Sequence, residues 1–183
     1  MNLAEKLAGT YLRLNGFLIL PHFTAFDGRQ HNHIDIVGFR PAKSQEVVCG
    51  ITLPTDDLFF DELSALIGQS SREFALGIAA EVKTNDTKDE PSNEHVEYVG
   101  RFFGGIPITR LAFYEGKHTV VREGDVLHIG VRYIGLWIQR RIDWMQEHKF
   151  KLSKAGSWNL SENFLSDFLT LRSYGLLTND REA

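Results

Sequence analysis

Cysteine is nearly missing from this chain of 183 residues: Cys49 is the single one. That excludes an intrachain disulfide and a zinc site built on cysteine pairs, and makes a reducing, cytoplasmic setting the expectation. No run of about 18 apolar residues occurs, so no transmembrane helix is expected. The opening residues, MNLAEKLAGTYLRLNG, lack the apolar core and cleavage site of a secretory leader. Positive charge is not in excess either. The formal net charge is −4, which disfavours tight nonspecific binding to nucleic acid, because such binding depends on neutralising phosphates; a local basic patch would still serve. There is no internal repeat, no Gly-rich phosphate loop and no nucleophile-elbow motif.

What is present suits one compact α/β domain over 1–183. Hydrophobic residues make up 43% of the chain, enough for a sizeable core. Residues 2–15 carry Leu3, Leu7, Tyr11 and Leu14 at helical spacing with Ala4 and Ala8 beside them, and Gly16 is placed to stop the helix. Glu5 falls at the edge of that stripe, in line with Leu12. It either looks past the stripe into a cleft or serves as a solvated first-turn acid that favours the helix dipole. Residues 17–23 and 31–39 read as two strands of an antiparallel hairpin around Asp27-Gly28. A strand is expected over 46–53 and a helix over 56–67, whose acids Asp56, Asp57, Asp61 and Glu62 read mainly as a solvated face. A central strand over 74–83 follows. Next come a helix over 93–103 with Val96, Val99, Phe102 and Phe103 inward, a strand over 108–114, and a short hairpin of 119–121 with 126–129. The longest helix spans 129–148, with Trp137 and Trp144 read as core or interface residues, and a last helix spans 159–173.

Chemistry concentrates at the end of the central strand, Gly77 to Asn85, GIAAEVKTN. Side chains two apart in a strand share a face, so Glu81 and Lys83 project together while Ala80 and Val82 face the other way. A carboxylate and an ammonium at the end of an apolar strand are costly unless paired, metal-bound or open to a cleft. Upstream, HNHIDIVGFR would set Ile34 and Ile36 on one face and His33, Asp35 and Val37 on the other. If the two strands are neighbours, Asp35 converges on Glu81 and Lys83. The plain alternative is a structural Glu81–Lys83 ion pair with Asp35 merely ending a strand.

An aspartate, then Glu-x-Lys after 45 intervening residues, behind an opening helix and a strand pair, resembles the PD-(D/E)XK nuclease superfamily, the restriction-endonuclease-like fold. The resemblance covers about residues 2–115, with 116–177 a C-terminal hairpin and helices and 178–183 a tail. It implies a central mixed sheet flanked by helices and a hydrolase that cuts DNA with Mg²⁺, for which Mn²⁺ would substitute. In that setting Asp35 and Glu81 would be the carboxylate ligands, which suits a hard cation that keeps several waters. The Val82 carbonyl would be a third ligand by the same resemblance. Lys83 would stabilise charge beside the attacking water; two carboxylates next to it favour this electrostatic role over that of a base. Glu5 matches the place where several branches, Holliday-junction-resolvase-like ones among them, carry an accessory acid. His33 would contact the scissile phosphate or a second metal, or else be an ordinary strand histidine; His31 adds less.

The resemblance implies restriction, defence or repair as the setting; the lack of a long apolar run makes no membrane partner the expectation. A homodimer would allow both strands to be cut, with Trp144 and Trp158 as candidate interface residues. Strand contacts would come from Arg132, Arg140, Arg141, Lys149, Lys151 and Lys154, or from Asn85, Thr87 and Lys88. The competing reading is a nuclease-like fold without catalysis that binds DNA or protein as a regulatory subunit, which the acidic balance favours.

Overall fold

The computed structural model describes residues 2–26, 31–40, 47–48, 51–52, 62–68, 75–83, 91–115 and 119–147. The chain separates into two compact units, Met1–Arg141 and Ile142–Ala183. The first holds the sheet. Of the second, only residues 142–147 are described, the end of a helix that starts in the first. The expected helix over 159–173, Trp158 and the three C-terminal lysines lie outside the described residues, as do Asp56, Asp57, Asp61, Asn85, Thr87 and Lys88, and the side chains of His31, Arg141 and Trp144.

The first helix, α1 (Leu3–Leu14), forms where the apolar spacing places it. Asn2 caps it and Glu5 completes a reciprocal capping box, which satisfies two of the free N–H groups of the first turn. Gly16 ends it at φ +85°, a left-handed position that costs glycine little. Strands β1 (Leu18–Phe26) and β2 (His31–Arg40) then form the expected antiparallel pair. In place of one strand over 46–53 there are two short ones, β3 (Val47–Val48) and β4 (Ile51–Thr52), paired with each other as a separate small sheet. Helix α2 (Glu62–Ile67) is followed by the central strand β5 (Leu76–Lys83), by α3 (Asn93–Phe102) and by β6 (Ile108–Tyr114). The hairpin of β7 (Val120–Glu123) and β8 (Val126–Gly130) leads into α4 (Val131–Glu147). That helix starts two residues later than its periodicity suggests, because Ile129 and Gly130 still pair within the sheet.

Six strands form a mixed sheet in the order β1-β2-β5-β6-β8-β7. β5, β6 and β8 run parallel and the outer pairs antiparallel. The β7–β8 hairpin is thus part of the main sheet. The α2 segment between β2 and β5 does not part them: Ile36 pairs with Ala80 and Val37 with Ala79. Helices cover both faces. A side chain on Gly9 of α1 would meet Ile19, and one on Gly38 would meet Ile78, which sets Ile19, Gly38 and Ile78 under α1. On the other face Val37 and Ala79 pack with Val99 of α3. No helix among the described residues is long and apolar enough to cross a membrane.

Strict alternation fails at one place. Ile34 packs in the same cluster as Val37, whereas three-residue spacing in a regular strand sets side chains on opposite faces. The expectation that Ile34 shares a face with Ile36 is therefore corrected. Across the hairpin the same break appears: Ile19 lies under α1, yet Phe23, four residues on, packs its ring against Tyr98 and Phe102 of α3. Between them His22 takes φ +53°, the one non-glycine with positive φ among the described residues. The register of Pro21 with Ile36 and Phe23 with Ile34 puts His22 opposite Asp35, so the twist that reverses the facing sits at the predicted acid.

Two further expectations change. Phe102 is 55% exposed rather than inward, because the buried line of α3 passes through Val99. Glu62 is not solvated: the Tyr133 hydroxyl donates to its Oε1, and burial pushes its carboxyl up from the usual range. Arg140, a candidate for phosphate contact, has its charge beside that same Glu62 and opposes the upward shift. Trp137 belongs to the core, its ring edge-on to Tyr11 at 5.0 Å.

Candidate functional site

The antiparallel pairing of β2 with β5 carries Asp35 to the end of β5. One carboxylate oxygen of Asp35, Oδ2, accepts the Val82 N–H at 2.8 Å. This bond replaces a backbone pairing: the ladder between β2 and β5 ends at Ile36 with Ala80, and the aspartate side chain takes the next free donor of the strand. The carboxylate is thereby held against the Glu81–Val82–Lys83 segment with one oxygen engaged.

Glu81 is buried, with 9% of its side chain accessible, and Lys83 Nζ lies 3.6 Å from its Oε2. The pair is an ion pair at a distance longer than a direct hydrogen bond. Three opposing effects decide the state of Glu81. Burial disfavours its charge most, and the negative Asp35 with its hydrogen bond to Glu81 adds to that; Lys83 works the other way. The sum pushes the carboxyl up to about 8. One ammonium does not offset desolvation plus a second carboxylate, so the site as built has unbalanced negative potential whenever both acids are charged.

Further polar groups run outward from Asp35. His33 Nδ1 lies 3.6 Å from Asp35 Oδ1. The His33 ring stands 5.8 Å from that of His22, tilted by 36°, and His22 Nε2 lies 3.8 Å from Glu5 Oε2. A line of ionisable groups thus connects α1, β1, β2 and β5. Glu5 is a first-turn acid whose side chain is 14% accessible rather than solvated. Its two oxygens accept the backbone N–H and the side-chain amide of Asn2, at 3.0 and 3.1 Å, and it also backs His22. The structure therefore brings Asp35, Glu81 and Lys83 together, sets His33 beside them, and joins Glu5 to them through histidines.

His22 was invisible to pattern reading. It lies in an apolar strand, and its backbone twist depends on pairing across the hairpin. The strain of a left-handed non-glycine residue is about 1–3 kcal/mol, and such strain concentrates at sites that use it.

A hard divalent cation fits the donor set. Two carboxylates meet with excess negative potential, and the Val82 carbonyl leaves the same segment. Among the described residues no three His, Cys, Asp or Glu side chains gather as a metal-holding group. An ion here would rest on two carboxylates and draw its other ligands from backbone, water and substrate, as Mg²⁺ commonly does.

Comparison with protein-family models, with curated proteins and with solved structures gives no match to this chain.

Proposed function

We propose that this chain is a divalent-metal-dependent endonuclease with a restriction-endonuclease-like core that hydrolyses DNA phosphodiester bonds in restriction, defence or repair. The observation that carries the reading is the meeting of Asp35 with Glu81 and Lys83 at the end of a buried central strand, with Glu81 pushed up to about 8. A structural ion pair alone would need one acid and one base. Here a second acid is added and fastened by the Val82 N–H, which makes the cluster worse balanced unless Glu81 keeps its proton or a metal cation replaces it.

In this reading Asp35 and Glu81 hold Mg²⁺, with the Val82 carbonyl beside them. When bound, the ion supplies an activated water and neutralises charge on the phosphate. Lys83 holds its ammonium beside Glu81, where it stabilises the charge that gathers on the phosphate during attack. The hydrogen bond from Val82 N–H keeps Asp35 oriented through the reaction, and the apolar residues around β5 limit the water that reaches Glu81. His33, half-exposed and next to Asp35, lies where the strand to be cut would pass.

The test is cleavage of duplex, branched and single-stranded DNA in Mg²⁺ and in Mn²⁺ by the wild type, Asp35→Ala and Glu81→Ala, with circular dichroism to verify folding. Loss of cleavage in folded variants supports the reading; undiminished cutting by the double variant sinks it. The acidic net charge of −4 favours one second reading, a non-catalytic binding subunit. Wild type that binds DNA without any divalent ion and cuts under none would decide for it.

A further inference from the structure

We propose that His22 is a substrate-contacting residue of this site, its imidazole donating a hydrogen bond to a phosphate oxygen of the DNA strand bound over Asp35 and Glu81; the inference rests on the nuclease reading.

Three independent observations meet at this residue. The first is conformational. His22 is held at φ +53°, a region that β-strand residues avoid, that Gly enters freely and that among other residues Asn, Asp and His enter most often. The second is positional. His22 and Asp35 fall at the one step that the β1–β2 ladder leaves unpaired, between Pro21 with Ile36 and Phe23 with Ile34. The third is exposure. The His22 side chain is 46% accessible. It fills no core, so packing does not account for the strained backbone.

The layout of exposure gives the site a floor and a mouth. Asp35, Glu81, Lys83 and Glu5 are the recessed groups, whereas His22 and His33 stand half-open beside each other. A ligand arriving from solvent meets the imidazoles first. A DNA backbone brings phosphate oxygens that accept hydrogen bonds, and an imidazole N–H is a donor that suits them. Glu5, itself tied to Asn2 in the capping box, lies 3.8 Å from Nε2 of His22 on the helix side. The reversal of facing at this step also turns Phe23 to α3, which leaves His22 apart from the apolar packing that surrounds it in sequence.

The experiment pairs stability with binding in the full-length chain. Wild type, His22→Gly and His22→Asn would be melted, and their affinity for a labelled short duplex measured by fluorescence anisotropy with Ca²⁺ replacing Mg²⁺. Glycine relieves the left-handed backbone, so His22→Gly is expected to melt about 2–4 °C higher than wild type while binding DNA about tenfold more weakly. Asparagine tolerates the same backbone and keeps an N–H donor, so His22→Asn is expected to recover part of the lost affinity. Equal affinity of wild type and His22→Gly overturns the inference and leaves the nuclease reading standing. A fall in melting temperature for both variants overturns it as well, because the residue would then be structural. Wild type that binds no DNA defeats the nuclease reading, and this inference falls with it.

Discussion

Glu81 carries a consequence for stability that can be read without any substrate. Its carboxyl is raised to about 8 from an ordinary value of 4.5, first by burial and then by Asp35. The folded state thus holds this proton more tightly than the unfolded chain, and between those two values it binds more protons than the unfolded state does. Stability linked to this group is full below the unfolded value and falls as pH rises toward 8. The metal-free protein is expected to lose melting temperature across that window, and Glu81→Gln, uncharged throughout, is expected to flatten the fall. Parallel melting curves for the two proteins from pH 5 to pH 8 would refute this. Glu62 shifts in the same direction through burial, so the difference between the proteins, not the slope of either, is the quantity to read. Much of this residue-scale picture was legible in sequence. Glu81 and Lys83 sat on a strand end and Asp35 inside the preceding strand, in the right chain order. His22 was not legible, since nothing in PHF signals a left-handed backbone.

The clearest case at the scale of elements is α2, described over Glu62–Ile67. A helix of a few turns is marginal alone, so contacts outside it must hold it. Asn15, fully buried just after α1, does so: its Oδ1 accepts the Leu63 N–H at 2.9 Å and its Nδ2 donates to the Tyr11 carbonyl at 2.9 Å. One amide side chain therefore satisfies a free donor in the first turn of α2 and bridges it to the end of α1. Asn15→Ala strips the partner from a buried N–H and is expected to cost about 1–3 kcal/mol, seen as a lower urea midpoint together with faster amide exchange in residues 62–67. An unchanged midpoint would show that α2 docks by apolar contact alone. Nothing in the sequence singles out Asn15, because its partner lies 48 positions away. The periodic elements α1, β5 and α3 were readable locally, whereas the two-residue strands β3 and β4 are too short to leave a pattern.

For the whole molecule, a cation at Asp35 and Glu81 would bind only the folded chain, because the two carboxylates meet only when β2 lies against β5. Such binding stabilises by mass action, about 2.7 kcal/mol at a hundredfold excess over the dissociation constant, or about 5 °C or more in a chain of this size. Mn²⁺ is therefore expected to raise the melting temperature of the wild type and to leave Asp35→Ala/Glu81→Ala unmoved. An equal rise in both would place the ion elsewhere. The same neutralisation should remove the pH slope assigned to Glu81, which ties the whole-molecule effect to the residue-scale one.

Local residue order encodes the class of the elements, the helix stop at Gly16, the shared face of Glu81 and Lys83, and which acids were worth pairing. These depend on residue spacing and backbone preference within one segment, which short stretches encode directly. Tertiary structure alone decided that β2 neighbours β5 across an intervening helix, that Asp35 takes the Val82 N–H, that the strand facing reverses at His22, and that Glu81 holds its proton so tightly. Each of these arises from groups distant in the chain being brought together and removed from water, and the energies involved exist only once the sheet has closed around them.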